Sequence, residues 1–318
     1  MRLESSFREA ISFLSDYLQL TLSKISRDIA CEIEEIRIRA FKPVILNFKN
    51  KSSFINKHGE LIFKTDNLSR NILTSSKNDL EVSLKKMCNY SVYSYQKEIN
   101  SGFITLKGGH RVGICGTAVY EIDGSLAISN IKDISSMNVR INQKVDFLDD
   151  SILEVIKSDF KGIILVGAPG SGKTTVLRNI ARILSEPDYF NKENVLKKIT
   201  VVDERNEFSG TYMGVSQNNL GYADILVNYS KKDAINQAIR SLSPDVIICD
   251  ELGSPKDVEA IKFGASSGVK FIVSVHAGSD DEFFKRKITK EILKLNAFDK
   301  MILLSKNSPG KVTKITSI

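Results

Sequence analysis

The stretch KGIILVGAPGSGKTTVLRNIARIL, residues 161–184, decides the fold of the C-terminal half. Its opening run, GIILVG, is apolar throughout, as in a β-strand that is buried on both faces of a sheet. The closing run, TTVLRNIARIL, repeats apolar residues at helical spacing. Between them lies G-x-x-x-x-G-K-T, the pattern of a loop whose backbone amides surround phosphate groups. A strand, a glycine-rich loop and a helix in this order predict a nucleoside triphosphate site.

The residue types of the loop explain this chemistry. Glycines let successive backbone N–H groups converge on phosphate oxygens, and the following helix points its positive dipole end at the same anion. Lys173 is expected to contact the β- and γ-phosphates, and the Thr174 hydroxyl to ligate Mg²⁺. The predicted ATP-binding residues are Gly167, Ala168, Pro169, Gly170, Ser171, Gly172, Lys173, Thr174 and Thr175.

More apolar runs follow this loop, with helical stretches between them. The runs are KITVVD (198–203), DVIICD (245–250) and KFIVSVH (270–276). The helical stretches are 172–185, 231–243 and 255–267, with a short helix at 150–159 before the loop. Alternation of this kind predicts right-handed βαβ units and a parallel sheet covered by helices.

Two of these strands end in a pair of acids, at the sheet edge where the phosphate loop also lies. Asp250-Glu251 forms a Walker B arrangement, in which Asp250 supports Mg²⁺ and Glu251 either completes the metal site or polarises the attacking water. Asp203-Glu204 ends a second strand, and the spacing does not decide whether Glu204 or Glu251 activates water. His276 ends another strand, where its imidazole is expected to sense the γ-phosphate.

The N-terminal half has a different pattern. Apolar residues at spacings of three and four predict helix over residues 1–35, and residues 78–89 return to that spacing. Alternating or glycine-punctuated runs predict antiparallel strands at 33–40, 44–48, 57–63, 102–128 and 136–141, with turns at Gly108-Gly109 and Asp123-Gly124. The polar segment 142–150 is a predicted boundary and hinge. We therefore expect an α+β domain over residues 1–145 and an ATPase domain over residues 146–318.

Composition excludes some classes of protein. The net charge of +7 is spread over both halves, which argues against the basic patch of a nucleic-acid binder. The N-terminus lacks a signal-peptide core, and no stretch approaches the ~20 apolar residues that cross a bilayer. The scattered cysteines predict reduced, buried thiols in a cytoplasmic protein, with peripheral membrane attachment left open.

Several phrases together resemble known proteins. The phosphate loop, VVDERNE (201–207), RSLSPDVIICDELG (240–253) and VSVHAG (273–278) are similar to the four boxes of the secretion-superfamily ATPases. EEIRIRAFKPVIL (34–46), SVYSYQKEINSGFITLKGGHRVGICG (91–116) and IKDISSMNVRI (131–141) narrow the resemblance to the stage III sporulation AA family. The resemblance implies a RecA-like P-loop core and a homohexameric ATPase. It also implies membrane-protein partners in the channel complex between mother cell and forespore, at the cytoplasmic face of the mother cell.

The resemblance also suggests roles for arginines of the N-terminal domain. Arg111 and Arg140 match two positions that, in secretion ATPases, approach the nucleotide of a neighbouring subunit. Arg37 and Arg39 alternate on one strand, with a structural role favoured over a nucleotide role. The chain has Asp250 where those ATPases usually carry glycine, which leaves the roles of Asp250, Glu251 and Glu204 open.

Two other functions stay open at this point. The same core drives helicases and packaging motors, so a nucleic-acid-directed ATPase is one alternative, although no stacking aromatic box or recognition helix supports it. A scaffold that binds ATP and barely hydrolyses it is the other.

Overall fold

The computed structural model describes residues 2–63, 71–121, 128–143, 147–187 and 196–318. The chain forms two compact units, Met1–Lys144 and Val145–Ile318. The turn predicted at Asp123-Gly124 lies outside the described residues, as do residues 144–146 of the predicted hinge.

The N-terminal unit begins with short helices where one helical run was predicted. Its helices are α1 (Arg2–Ser12), α2 (Asp16–Leu22), α3 (Arg27–Glu32), α4 (Lys77–Met87) and α5 (Gln96–Asn100). The prediction of helix over residues 1–35 is therefore confirmed in three separate segments and wrong from Ile33, where β1 begins. Serines break the run, because Ser15 and Ser26 occupy the N-cap positions of α2 and α3, where such residues favour a helix start. The predicted apolar stripe is nevertheless correct, since Phe7, Ile11, Leu14, Leu18 and Leu22 are all buried.

The sheet of this unit is antiparallel, as predicted. Its strands are β1 (Ile33–Arg39), β2 (Ile45–Phe48), β3 (Ser52–Ile55), β4 (Leu61–Ile62), β5 (Phe103–Thr105), β6 (Arg111–Tyr120) and β7 (Ile128–Arg140). They lie in the order β4-β3-β2-β1-β7-β6-β5. Alternate residues such as Ile36, Val112 and Val139 are buried against the helices. The opposite face holds the arginines of β1, β6 and β7.

The C-terminal unit is a mainly parallel sheet between two layers of helices. Its strands are β8 (Gly162–Gly167), β9 (Ile199–Asp203), β10 (Asp224–Val227), β11 (Val246–Cys249), β12 (Lys270–His276), β13 (Lys300–Leu304) and β14 (Val312–Ser317). Its helices are α6 (Asp150–Lys157), α7 (Lys173–Ser185), α8 (Lys231–Ser241), α9 (Pro255–Ser266), α10 (Asp280–Lys285) and α11 (Lys287–Lys294).

The described strands of this sheet lie in the order β10-β9-β11-β12-β8-β13-β14. The pairs from β10 to β13 are parallel, and only the β13–β14 pair is antiparallel. Alternate residues of β8 point into two separate cores: Ile164 and Val166 pack with α8 and α9, whereas Ile163 and Leu165 pack with α6 and α7. This α/β arrangement agrees with the predicted fold class and brings the carboxyl ends of β8, β9, β11 and β12 to one edge.

The cysteines partly match the prediction. All four are free thiols, and Cys88 and Cys249 are buried. Burial raises the pKa of the Cys88 thiol to about 11 and that of Cys249 to about 12, which keeps both protonated and unreactive. Cys115 is exposed, contrary to prediction, because it lies on the open face of the N-terminal sheet, and Cys31 is half-buried. No helix among the described residues has the length and apolar character needed to cross a bilayer.

Candidate active site

The phosphate loop connects β8 to α7 through left-handed backbone. Gly170 and Gly172 have φ angles of +77° and +88°, a region that side chains with a Cβ rarely adopt. Gly172 occupies the N-cap of α7, so Lys173 and Thr174 begin the helix. A Cβ on Gly170 would meet no atom within 4 Å, which leaves this part of the loop open to a ligand.

The loop is supported from outside by the β13–β14 hairpin. The backbone N–H of Gly310 donates to the carbonyl of Ser171 at 2.8 Å. A Cβ on Gly172 would lie only 2.7 Å from the Gly310 nitrogen. Two glycines therefore meet backbone to backbone, and the hairpin fixes the turn into α7.

Lys173 is folded back onto the loop. Its ammonium group donates to the carbonyls of Gly167 at 2.8 Å and Ala168 at 3.0 Å, and it lies 3.0 Å from Nδ1 of His276. Because a lysine ammonium can only donate, a hydrogen bond between the two groups requires Nδ1 to be the acceptor. Burial lowers the pKa of Lys173, and the charges of Asp250 and Glu251 partly oppose this effect. The lysine thus lies within the loop that its charge is suited to complete around an anion.

Asp250, the predicted Walker B aspartate, is hydrogen-bonded to the predicted phosphate loop. The Thr174 hydroxyl donates to one Asp250 oxygen at 2.6 Å, and the Ser274 hydroxyl donates to the other. Ser274 also accepts the backbone N–H of Glu251 at 2.9 Å. This buried serine on β12 therefore orients both members of the acid pair. The sequence reasoning missed Ser274, although a hydroxyl inside the otherwise apolar run KFIVSVH was an available signal.

Glu251 lies between the loop and the second acidic strand. One of its oxygens is 3.5 Å from Nε2 of His276, and the other is 3.4 Å from the Arg205 guanidinium. Its φ of +50° is unusual for a residue that is not glycine, asparagine or aspartate. His276 thus bridges Lys173 and Glu251, and its role at the γ-phosphate stays a prediction.

The second acid pair divides into two different environments. Asp203 is buried and accepts the N–H groups of residues 207, 208 and 209 at 3.0, 3.2 and 2.7 Å, and the Ser209 hydroxyl at 2.7 Å. Burial raises the pKa of Asp203, although these hydrogen bonds act to lower it. Asp203 thus holds the loop after β9 in shape. Glu204 is instead paired with the nearly buried Lys231 ammonium at 2.5 Å, a contact that the sequence reasoning did not identify.

A small cavity of about 30 Å³ lies between the two acid pairs. Its lining includes Glu204, Arg205, Lys231, Asp250 and Glu251. The cavity has room for water and offers it several polar partners. Both candidate water-activating glutamates, Glu204 and Glu251, therefore border one polar space.

The residues present fit a magnesium–nucleotide complex better than a protein-only metal centre. No cluster of three or more His, Cys, Asp or Glu side chains suited to a metal occurs in the described ranges. Mg²⁺ in such sites takes one or two protein oxygens and completes its shell with water and substrate phosphates. The hydrogen-bonded oxygens of Thr174 and Asp250 are such a pair, whereas Glu251 is turned toward His276 and Arg205.

The predicted arginines meet on the open face of the N-terminal sheet. Arg111 and Arg140 are directly opposite each other on β6 and β7. The Arg111 guanidinium lies 3.7 Å from the centroid of the Phe103 ring. Glu35 on β1 is 4.0 Å from Arg140 and 2.8 Å from Arg37. Cross-strand pairing thus gathers several guanidinium groups and one carboxylate on a single surface.

Comparisons with known proteins agree with this architecture. A family model described as "Sporulation stage III, protein AA" matches residues 7–317. The stage III sporulation protein AA of Bacillus subtilis (strain 168) is 32% identical over 311 residues, which are 96% of this chain and 94% of that protein.

Solved structures add fold-level similarity. The Yersinia pseudotuberculosis ATPase DotB has a TM-score of 0.54 at 16% identity, over 87% of this chain and 72% of its own. The pilus retraction motor PilT with bound ADP has a TM-score of 0.50 at 16% identity, over 85% of this chain and 74% of its own.

Proposed function

The chain belongs to the stage III sporulation protein AA family, and we propose that it is an ATP-hydrolysing motor of endospore formation. The observation that supports this most directly is the hydrogen bond between Thr174 and Asp250 at 2.6 Å. It joins the phosphate loop to the Walker B strand, the two parts that a P-loop NTPase needs to hold its nucleotide and its metal. The fold shared with DotB and PilT agrees with this proposal.

Each residue near the loop has a proposed task. The loop amides and Lys173 bind the β- and γ-phosphates, and Thr174 with Asp250 holds the Mg²⁺ that accompanies ATP. When bound, this ion neutralises charge on the phosphates. His276 links Lys173 to Glu251 and transmits the state of the γ-phosphate between them.

We assign the orientation of the attacking water to Glu251. Glu204 is paired with Lys231 at 2.5 Å, which commits its carboxylate to a charge-assisted hydrogen bond. Among the described residues, the Glu251 carboxylate has longer ionic contacts, at 3.4 and 3.5 Å, and it borders the cavity between the acid pairs. Glu251→Gln should therefore reduce single-turnover hydrolysis more than Glu204→Gln. Equal effects would contradict this division of roles.

Arg111 and Arg140 are proposed to act on the nucleotide of a neighbouring subunit. An arginine that reaches the transferred phosphoryl group contributes about 10³–10⁵ in rate. Such a role requires a ring of copies, which we propose to be a homohexamer attached to membrane proteins of the channel complex at the cytoplasmic face of the mother cell. Segment 142–150 is proposed as the hinge between the domains.

Steady-state ATP hydrolysis tests the enzymatic proposal. Lys173→Ala should abolish turnover, whereas Lys262→Ala, which changes an exposed lysine of α9, should leave turnover unchanged. Arg111→Ala should lower turnover only under conditions in which light scattering detects an oligomer. Hydrolysis that survives Lys173→Ala would remove the basis of the proposal.

The slow, nucleotide-gated scaffold has one observation in its favour. Glu251 and Glu204 each lie in contact with a cationic side chain, Arg205 and Lys231 respectively. A scaffold would bind ATP tightly through Lys173 while hydrolysing it at a rate that Glu251→Gln does not change. Measuring binding and single-turnover hydrolysis on the same preparations distinguishes the scaffold from the motor.

A further inference from the structure

Phe147 is an aromatic side chain close to the phosphate loop that the proposed mechanism does not use. It precedes α6 and leaves 40% of its surface exposed. The Lys311 ammonium lies over its ring, 4.5 Å from the centroid. An exposed ring with a cation beside it therefore lies next to the predicted nucleotide site.

A single glycine separates this ring from the loop. A Cβ on Gly310 would lie 3.8 Å from Cδ1 of Phe147. The same glycine donates to the Ser171 carbonyl and packs against Gly172. The ring therefore lies beside the point where the phosphate loop turns into α7.

The backbone of Phe147 is also tied to α7. The side-chain amide of Asn179 donates to the Phe147 carbonyl at 3.2 Å and to the Thr175 carbonyl at 3.0 Å. Asn179 thus connects Phe147 to Thr175, the last residue of the predicted phosphate site. The position of Phe147 is consequently set by the same helix that receives the phosphates.

Lys311 is held in place as well. Its ammonium is 3.7 Å from Asp149, a half-buried carboxylate that accepts from Ser151 at the start of α6. Burial acts to raise the pKa of Asp149, but these hydrogen bonds and the charge of Lys311 outweigh it and lower the pKa. Asp149 therefore stays ionised and keeps the lysine beside the ring.

We propose that Phe147 and Lys311 form the subsite for the nucleobase of ATP, an inference that rests on the proposed function. Every base has a flat π face, and stacking on an aromatic side chain binds it with little dependence on its identity. The Lys311 ammonium adds a donor for the acceptor atoms of the base. The subsite should accordingly accept both ATP and GTP, with the triphosphate site supplying the remainder of the affinity.

The test compares a probe that has a base with one that lacks it. Binding of ATP and of inorganic tripolyphosphate, each with Mg²⁺, is measured by calorimetry for the full chain. Phe147→Ala should weaken ATP binding about 10- to 100-fold and leave tripolyphosphate binding unchanged. Phe147→Tyr, which keeps an aromatic ring at this position, should bind ATP as the wild type does. Phe263→Ala, which truncates a ring of α9 that is 44% exposed, is the matched control and should change neither.

The outcomes separate the subsite from the function on which it rests. If both probes bind in a Lys173-dependent manner but Phe147→Ala does not weaken ATP, the subsite is overturned and the proposed function stands. Equal weakening of both probes would also overturn it, because the ring would then shape the phosphate loop instead. If the wild-type chain binds neither probe, the proposed function fails and the subsite fails with it.

Discussion

Ser274 provides the sharpest test of how the acid pair is organised. Ser274→Ala removes a hydroxyl that donates to Asp250 and accepts from the Glu251 N–H at 2.9 Å. The residue is fully buried, so the loss is not replaced by bulk water. Because only one oxygen atom is removed, the substitution leaves the packing of β12 almost unchanged.

The magnitude follows from the charge of the partner. A hydrogen bond to a charged group contributes about 1.5–3 kcal/mol, and each 1.36 kcal/mol corresponds to tenfold in rate. If this bond holds Asp250 in its catalytic position, kcat for ATP should fall about 10- to 100-fold. The Mg²⁺ concentration needed for half-maximal activity should rise, because Asp250 would no longer be oriented toward Thr174.

Steady-state hydrolysis over a range of Mg²⁺ concentrations, with thermal unfolding of the same samples, measures both effects. Thr200→Val is the control, since Thr200 is buried in the same sheet and its hydroxyl has no hydrogen-bond partner among the described residues. A Ser274→Ala enzyme with wild-type kcat and Mg²⁺ dependence would refute the reasoning. Equal impairment of Thr200→Val would do the same, because it would point to general damage to the sheet.

Three further predictions concern stability. Gly172→Ala should destabilise the protein by about 2 kcal/mol or more in urea unfolding, because its φ is +88° and its Cβ would lie 2.7 Å from the backbone of the hairpin. Gly214→Ala is the control. Its φ is +79° but no atom lies within 4 Å of the added Cβ, so it should cost only the backbone strain of about 1 kcal/mol. Lys231→Met removes the cationic partner of Glu204, whose side chain is 42% exposed, and should cost up to about 1 kcal/mol, and a double-mutant cycle with Glu204→Gln should show coupling. Asp79→Asn should destabilise the protein by about 1 kcal/mol at pH 7. Burial acts to raise the pKa of Asp79, but hydrogen bonds from two serine hydroxyls outweigh it and lower the pKa. The ionised carboxylate therefore stabilises the wild type above pH 3.8, and this stabilisation is lost as the pH falls below that value. Unfolding measured over an acid titration should show the stabilities of the wild type and Asp79→Asn converging at low pH.

Periodicity predicted the elements that are either buried on both faces or strictly alternating. The runs that became β8, β9, β11 and β12 lie within their predicted ranges, because a central parallel strand must be apolar at almost every position. The hairpin β13–β14 was not predicted. Its last strand, VTKITS, lies at the sheet edge and is largely exposed, so it lacks a clear hydrophobic pattern.

The sequence could predict only some of the contacts in the candidate site. Spacing predicted that Thr174 and Asp250 lie at the same sheet edge, where the carboxyl ends of parallel strands meet, and the two side chains are hydrogen-bonded there. It could not identify Lys231 as the partner of Glu204, since that contact joins the start of α8 to the end of β9. The sequence also could not assign different roles to Asp203 and Glu204, because both are carboxylates and only the structure shows that Asp203 is buried and Glu204 is not.

The meeting of Gly310 with Gly172 has a consequence for synthesis of the protein. The ribosome synthesises the phosphate loop well before the β13–β14 hairpin that supports it. A growing chain therefore exposes GAPGSGKT before Gly310 can pack against Gly172. Ribosome-stalled chains that end before the hairpin should consequently leave the loop open to proteolysis, and release of residues 305–311 should protect it. The loop would then become competent to hold a nucleotide only after residues 305–311 have been released.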